Sequence, residues 1–171
     1  MLSAISLIVR ISLFRANPQE LPASPALLAF AGGLCLLSAL PQGGDPAYAA
    51  LLALGQLVVL AVLVAYALRR RGFPERATQV LSALFGALAV INLATRPVLA
   101  WMEAVEGHAL WTPMLIGMCM LLWMTAVMAH ILYQALDTPP GMAAALSILM
   151  LGVVLAATIV LLSLRAWMLD A

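Results

Sequence analysis

Ala47–Leu68, AYAALLALGQLVVLAVLVAYAL, carries no formal charge and ends against Arg69-Arg70-Arg71. Its 22 residues extend about 33 Å at the helical rise, enough to cross a hydrocarbon core of roughly 30 Å. Moving an arginine to the bilayer centre costs roughly 2.5–3.5 kcal/mol, so the triplet stops the segment at a membrane surface. Gln56 inside the run, like Gln79 further along, is a lone amide expected to seek a partner across a helix interface, where such a bond is worth about 0.6 kcal/mol.

The same alternation of apolar run and polar break holds on both sides of this stretch. It predicts five spans, at about 23–40, 47–68, 77–95, 109–132 and 142–164. The lead-in Asn17–Pro25 contains three prolines and ends with Ser24 placed as an N-cap and Pro25 at the first helical position. Pro41-Gln-Gly-Gly-Asp-Pro46 is too short for anything but a hairpin between antiparallel neighbours. Gly72-Phe-Pro-Glu-Arg76 turns the chain into the third span. Arg96-Pro97 closes that span, because the residue before a proline is pushed out of helical geometry. A longer connection, Val98–His108, leads to the fourth span, whose Trp111 and Tyr133 stand where amphipathic rings prefer the two interfaces. Asp137-Thr-Pro-Pro-Gly141 is the last break.

Residues 1–16 differ from a cleavable signal: Arg10 interrupts the apolar run, Arg15 follows it, and the segment is expected to be retained. Leu2, Ile5, Ile8, Val9 and Leu13 recur near helical spacing while Ser3, Ser6 and Arg10 gather on another side. That is the pattern of an amphipathic helix lying in the headgroup plane.

Composition agrees. A hydrophobic fraction of 65%, a charged fraction of 9% and a mean hydropathy of +1.11 exclude a water-soluble fold. All eight basic residues are arginines, and a net charge of +1 leaves no basic face for nucleic acid. The expected fold is therefore an all-α polytopic transmembrane bundle: one integral membrane domain over residues 1–171, five spans plus an amino-terminal interfacial helix, with the lipid bilayer as first partner. With a cytoplasmic amino terminus, Arg10, Arg15, Arg69, Arg70, Arg71 and Arg76 fall inside and only Arg96 and Arg165 outside. The positive-inside rule selects that orientation and puts the carboxyl terminus outside.

Few residues offer chemistry. His130 is the sole histidine inside a span, hence a candidate for haem, quinone or proton contact, but near Tyr133 and Gln134 its ring can also reach the interface or a neighbouring carbonyl. His108 cannot share an iron with it: 22 residues on one helix are about 33 Å. Met120, Met124 and Met128 form one stripe of thioethers, a soft-ligand set suited to Cu(I) or, more simply, an adaptable packing surface. Cys35 and Cys119 lie in apolar runs without CxxC spacing and read as packing residues. Asn92 and Arg96, four apart, share a face at the outer end of span three. They make either an external polar binding spot, with Glu103 or Glu106 close enough to neutralise the arginine, or a capped helix end with a snorkelling arginine. Ala29 with Gly33, Ser82 with Gly86, and Gly152 with Ala156 are small residues at four-residue spacing, the candidates for close helix contact.

No nucleophile with a base and no clustered metal ligands emerge, so no enzyme, cofactor or metal is expected. The cytoplasmic amino-terminal segment, five closely spaced spans, outward carboxyl terminus and the lead-in Asn17-Pro-Gln-Glu-Leu-Pro22 together resemble the Yip-type family of small five-span membrane proteins. That resemblance implies a non-catalytic organising role through helix contacts with partner proteins. The all-Arg, Ala/Leu-rich composition points to the inner membrane of a high-GC bacterium. The function expected is an accessory subunit or scaffold of a larger membrane assembly, with contacts to other subunits or to copies of itself. A small oligomeric permease or lipid-handling protein, and a redox subunit built on His130, are the alternatives.

Overall fold

A computed structural model describes residues 2–40, 45–105 and 110–170. Six α-helices account for most of them: α1 Leu2–Ser12, α2 Pro25–Ala39, α3 Pro46–Arg71, α4 Ala77–Ala104, α5 Trp111–Leu136 and α6 Pro140–Asp170. Local chemistry sets their ends. The Ser24 hydroxyl accepts from the Leu27 amide at 3.4 Å, with Pro25 opening α2. The Asp45 carboxylate accepts from Ala47 and Tyr48 and caps α3. At the far end of α3, Gly72 adopts φ +81° while the Phe73 amide reaches back to the Leu68 carbonyl at 2.9 Å, a left-handed closure that suits glycine. The Pro41–Gly44 part of the expected hairpin lies outside the described residues.

Four helices, α3 to α6, are long and apolar enough to cross a membrane, making this a multi-pass membrane protein. The first expected span is the exception. α2 has 15 residues, about 22 Å, against a core of roughly 30 Å. It runs parallel to α4, Gly32 facing Phe85 and Ser38 facing Asn92. α3 and α6 run antiparallel, tied by Gln56 to Thr158 at 2.9 Å and by the Tyr48 hydroxyl to the Leu161 carbonyl at 3.2 Å.

One end of the bundle gathers the arginine-rich turns. There Arg76 pairs with Asp137 at 3.2 Å, Arg71 meets the Met142 sulfur at 3.1 Å and Gln19 donates to the Gln134 carbonyl. The other end carries Arg165, which lies 3.9 Å over the Tyr48 ring and 4.0 Å from Asp45.

α4 is the core helix: half of its most apolar window is buried, against 11% for α6. Ser82, Ala83, Gly86 and Ala87 are among its buried residues, and such small side chains let neighbours approach closely. α4 does not stop at Arg96-Pro97 as expected but continues through Pro97 to Ala104. A proline removes one backbone bond, and in a packed bundle the freed group is re-satisfied locally; Val98, in the turn that follows, is buried.

α1 is amphipathic, but it is seated against the flank of the bundle rather than across its end. Ile8 and Ile11 are buried while Ile5, Val9 and Leu13 are exposed. Ile8 fills the space over Gly86, and the Trp123 indole donates to the Ser12 carbonyl at 2.9 Å. Gly86 stands about 13 Å above Ala77, the first residue of α4, at the helical rise. The 26-residue α3 and 31-residue α6 extend about 39 and 46 Å, well beyond the hydrocarbon thickness.

Candidate functional site: a polar cavity above a short helix

Because α2 ends opposite Arg96 while α4 runs on to Ala104, the last turns of α4 outreach α2 by about 12 Å. A cavity of about 480 Å³ occupies this step, walled by α4, α5 and the end of α2, with Gln56 of α3 at its floor. A second cavity of about 470 Å³ continues from it, sharing Gln56, Asn92, Leu121 and Met124, and is lined further down by leucines of α3, α4 and α6. Both volumes fall in the range of small-molecule sites, about 300–1,000 Å³.

Arg96 organises the mouth. A helix leaves its last four carbonyls unpaired, and the Arg96 guanidinium takes three at the end of α2: Leu40 at 2.8 Å and Leu37 at 3.2 Å from Nη2, Ser38 at 3.4 Å from Nε. A cation at a helix C-terminus also complements the macrodipole. One turn below, the Asn92 amide donates to the Ser38 hydroxyl at 3.3 Å. Thus Asn92 and Arg96 do share a face, and the helix end that Arg96 caps is that of α2, not its own. Glu103 lines the same cavity, but the ion pairs among the described residues are Arg76–Asp137 and Arg165–Asp45. Glu106 lies outside the described residues.

Two residues of the methionine stripe, Met120 and Met124, form the α5 wall of this cavity, while Met128 is buried in the core. No group of three or more His, Cys, Asp or Glu stands together among the described residues. His130 lies elsewhere: its Nε2 is 3.5 Å from the Ala16 carbonyl and its ring meets Phe14 edge-on at 5.5 Å. His108 falls outside the described residues. Cys35 is buried on α2 and lines the deeper cavity; Cys119 is exposed.

The small-residue pairs separate into two kinds. Ser82 and Gly86 are buried, and Gly86 accommodates Ile8 so closely that an added Cβ would lie 2.8 Å from it. Ala29, Gly33, Gly152 and Ala156 are exposed, with nothing within 4 Å of a Cβ built on either glycine. Sequence reasoning missed Ser38 and Thr158. The signal was slight, a lone hydroxyl in an apolar run, and only the partner helix gives each its role.

Comparison with protein-family models, with curated proteins and with solved structures returns no significant match.

Proposed function

We propose that this chain is a non-enzymatic accessory subunit or scaffold of a larger membrane assembly in a bacterial inner membrane. It crosses five times, α2 being the first and shortest crossing, with the amino terminus cytoplasmic and α1 packed against the flank of the bundle. The resemblance to Yip-type proteins supplies the class of role, and the arginine asymmetry supports the orientation. The observation that carries the reading is the uncovered outer half of α6. Ile159, Val160 and Leu162 are exposed there, and Gly152, at the edge of the second cavity, has nothing within 4 Å of a built Cβ. Small residues on an apolar face are what lets another transmembrane helix pack closely. Ala29 and Gly33 on α2 present a second such face.

Purification from native membranes in mild detergent is the test. A co-purifying membrane protein, or self-association lost in Gly152→Leu, supports docking; a lone monomer in every mild detergent contradicts it. Reporter tags on the two ends should report opposite sides of the membrane, and both ends on one side would overturn the threading.

A lipid-handling or permease role is favoured instead by the continuous cavities above and beside α2, where polar Asn92 and Arg96 lead into an apolar chamber. Flux in liposomes containing only this chain, lost in Asn92→Ala, selects that reading.

A further inference from the structure

At the arginine-rich end, a third cavity of about 360 Å³ lies between α3 and the start of α6. Its polar lining is Arg70, Arg71, Tyr66 and Thr138; the remainder is apolar, including Leu63, Leu146 and Met150. Two features of it call for an anion attached to an apolar chain. First, the charge is of one sign. Among the described residues two guanidinium groups line the cavity and no carboxylate does, the nearby Asp137 being paired with Arg76 at 3.2 Å. Second, the groove opens sideways through Tyr66, Met142, Leu149 and Val153, all exposed on the apolar flank rather than at the end of the bundle. From Met142 to Val153 it extends about 16 Å along α6, close to half of a roughly 30 Å hydrocarbon core.

Among the described residues neither arginine meets a strong acceptor. The Arg70 Nε donates to the Tyr66 hydroxyl at 2.8 Å and Arg71 donates to the Met142 thioether at 3.1 Å. A phosphate has the acceptor oxygens that these donors lack, and guanidinium forks match its geometry. We infer that this groove binds one anionic phospholipid, its phosphate held by Arg70 and Arg71 and one acyl chain lying along α6. Juxtamembrane arginine clusters attract anionic lipids generally; here the two guanidinium groups open onto an apolar lateral groove that takes the chain as well as the headgroup. It stands apart from the cavity above α2 and does not depend on any docking partner.

Native mass spectrometry of the intact chain, titrated with phosphatidylglycerol, phosphatidylethanolamine or inorganic phosphate, tests it. Phosphatidylglycerol should be retained in preference to phosphatidylethanolamine, and inorganic phosphate should not displace it. Arg70→Gln and Arg71→Gln should each weaken retention about fivefold, the equivalent of about 1 kcal/mol per charge. Val153→Trp is the decisive variant. It fills the exposed far end of the groove without touching either arginine, so the thermal midpoint should hold while phosphatidylglycerol retention falls about tenfold. Equal retention of the two lipids, displacement by inorganic phosphate, undiminished binding in Val153→Trp, or a lipid-free dimer occupying the groove would each overturn the assignment.

Discussion

Arg96 of α4 donates to the carbonyl of Leu40, the C-cap of α2, at 2.8 Å, and the same nitrogen reaches Leu37 at 3.2 Å. One side chain thereby ends a helix that belongs to a different part of the chain. Removing it leaves the α2 carbonyls without this charged donor. Arg96→Ala should lower stability by about 2–3 kcal/mol, on the scale of bonds to charged groups. Arg96→Lys should recover only part of this, since an ammonium lacks the fork that spans several acceptors. Thermal unfolding in detergent checks both, and equal midpoints for Arg96→Ala and the parent would refute the capping role.

Ile8 and Gly86 form the seat of α1. An added Cβ on Gly86 would stand 2.8 Å from two Ile8 carbons, and isoleucine is stiff at χ1. Gly86→Ala should therefore destabilise by about 1–3 kcal/mol through overpacking and loosen α1. Faster tryptic cleavage at Arg10 and Arg15 is the readout. Pairing it with Ile8→Ala should restore much of the loss, because contacting sites are not additive.

Gly72 and Gly141 give a contrast within one type of substitution. Neither has a heavy atom within 4 Å of a built Cβ, but Gly72 sits at φ +81° at the end of α3 whereas Gly141 is inside the first turn of α6. Gly72→Ala should cost about 1 kcal/mol, and Gly141→Ala should be neutral or stabilising by about 0.5–1 kcal/mol. Chemical denaturation of the two variants side by side measures the difference.

Gln56 and Thr158 bridge α3 and α6 at 2.9 Å within the bundle. A double-mutant cycle with Gln56→Leu and Thr158→Val should return a coupling of about 0.6 kcal/mol, the scale of interhelical bonds in membranes. A coupling near zero would mean that each group finds another partner when the first is removed.

Much of the architecture was readable along the chain. Apolar runs between polar or proline-bearing breaks marked α3 to α6, Ser24-Pro25 marked the start of α2, and Gly72 the turn after the triplet. These are local facts, set by the cost of burying a charge and by caps satisfied within four residues. The candidate site was readable only in part. Asn92 and Arg96 were legible as a shared face, since four residues make a turn, but their acceptors on Ser38, Leu37 and Leu40 lie more than 50 positions away.

What the amino-acid order determined alone is that this chain belongs in a bilayer and where most of its helices begin. Which helical face meets protein and which meets lipid was decided only by the tertiary structure. In water the apolar stripe of a helix marks its buried side; in a membrane both surroundings are apolar, so Gly86 packed under Ile8 and Gly152 left open look alike as letters. Helix length added the second decision: α2 stops short of its neighbours, and the step it leaves is where polar groups from α3, α4 and the end of α2 converge.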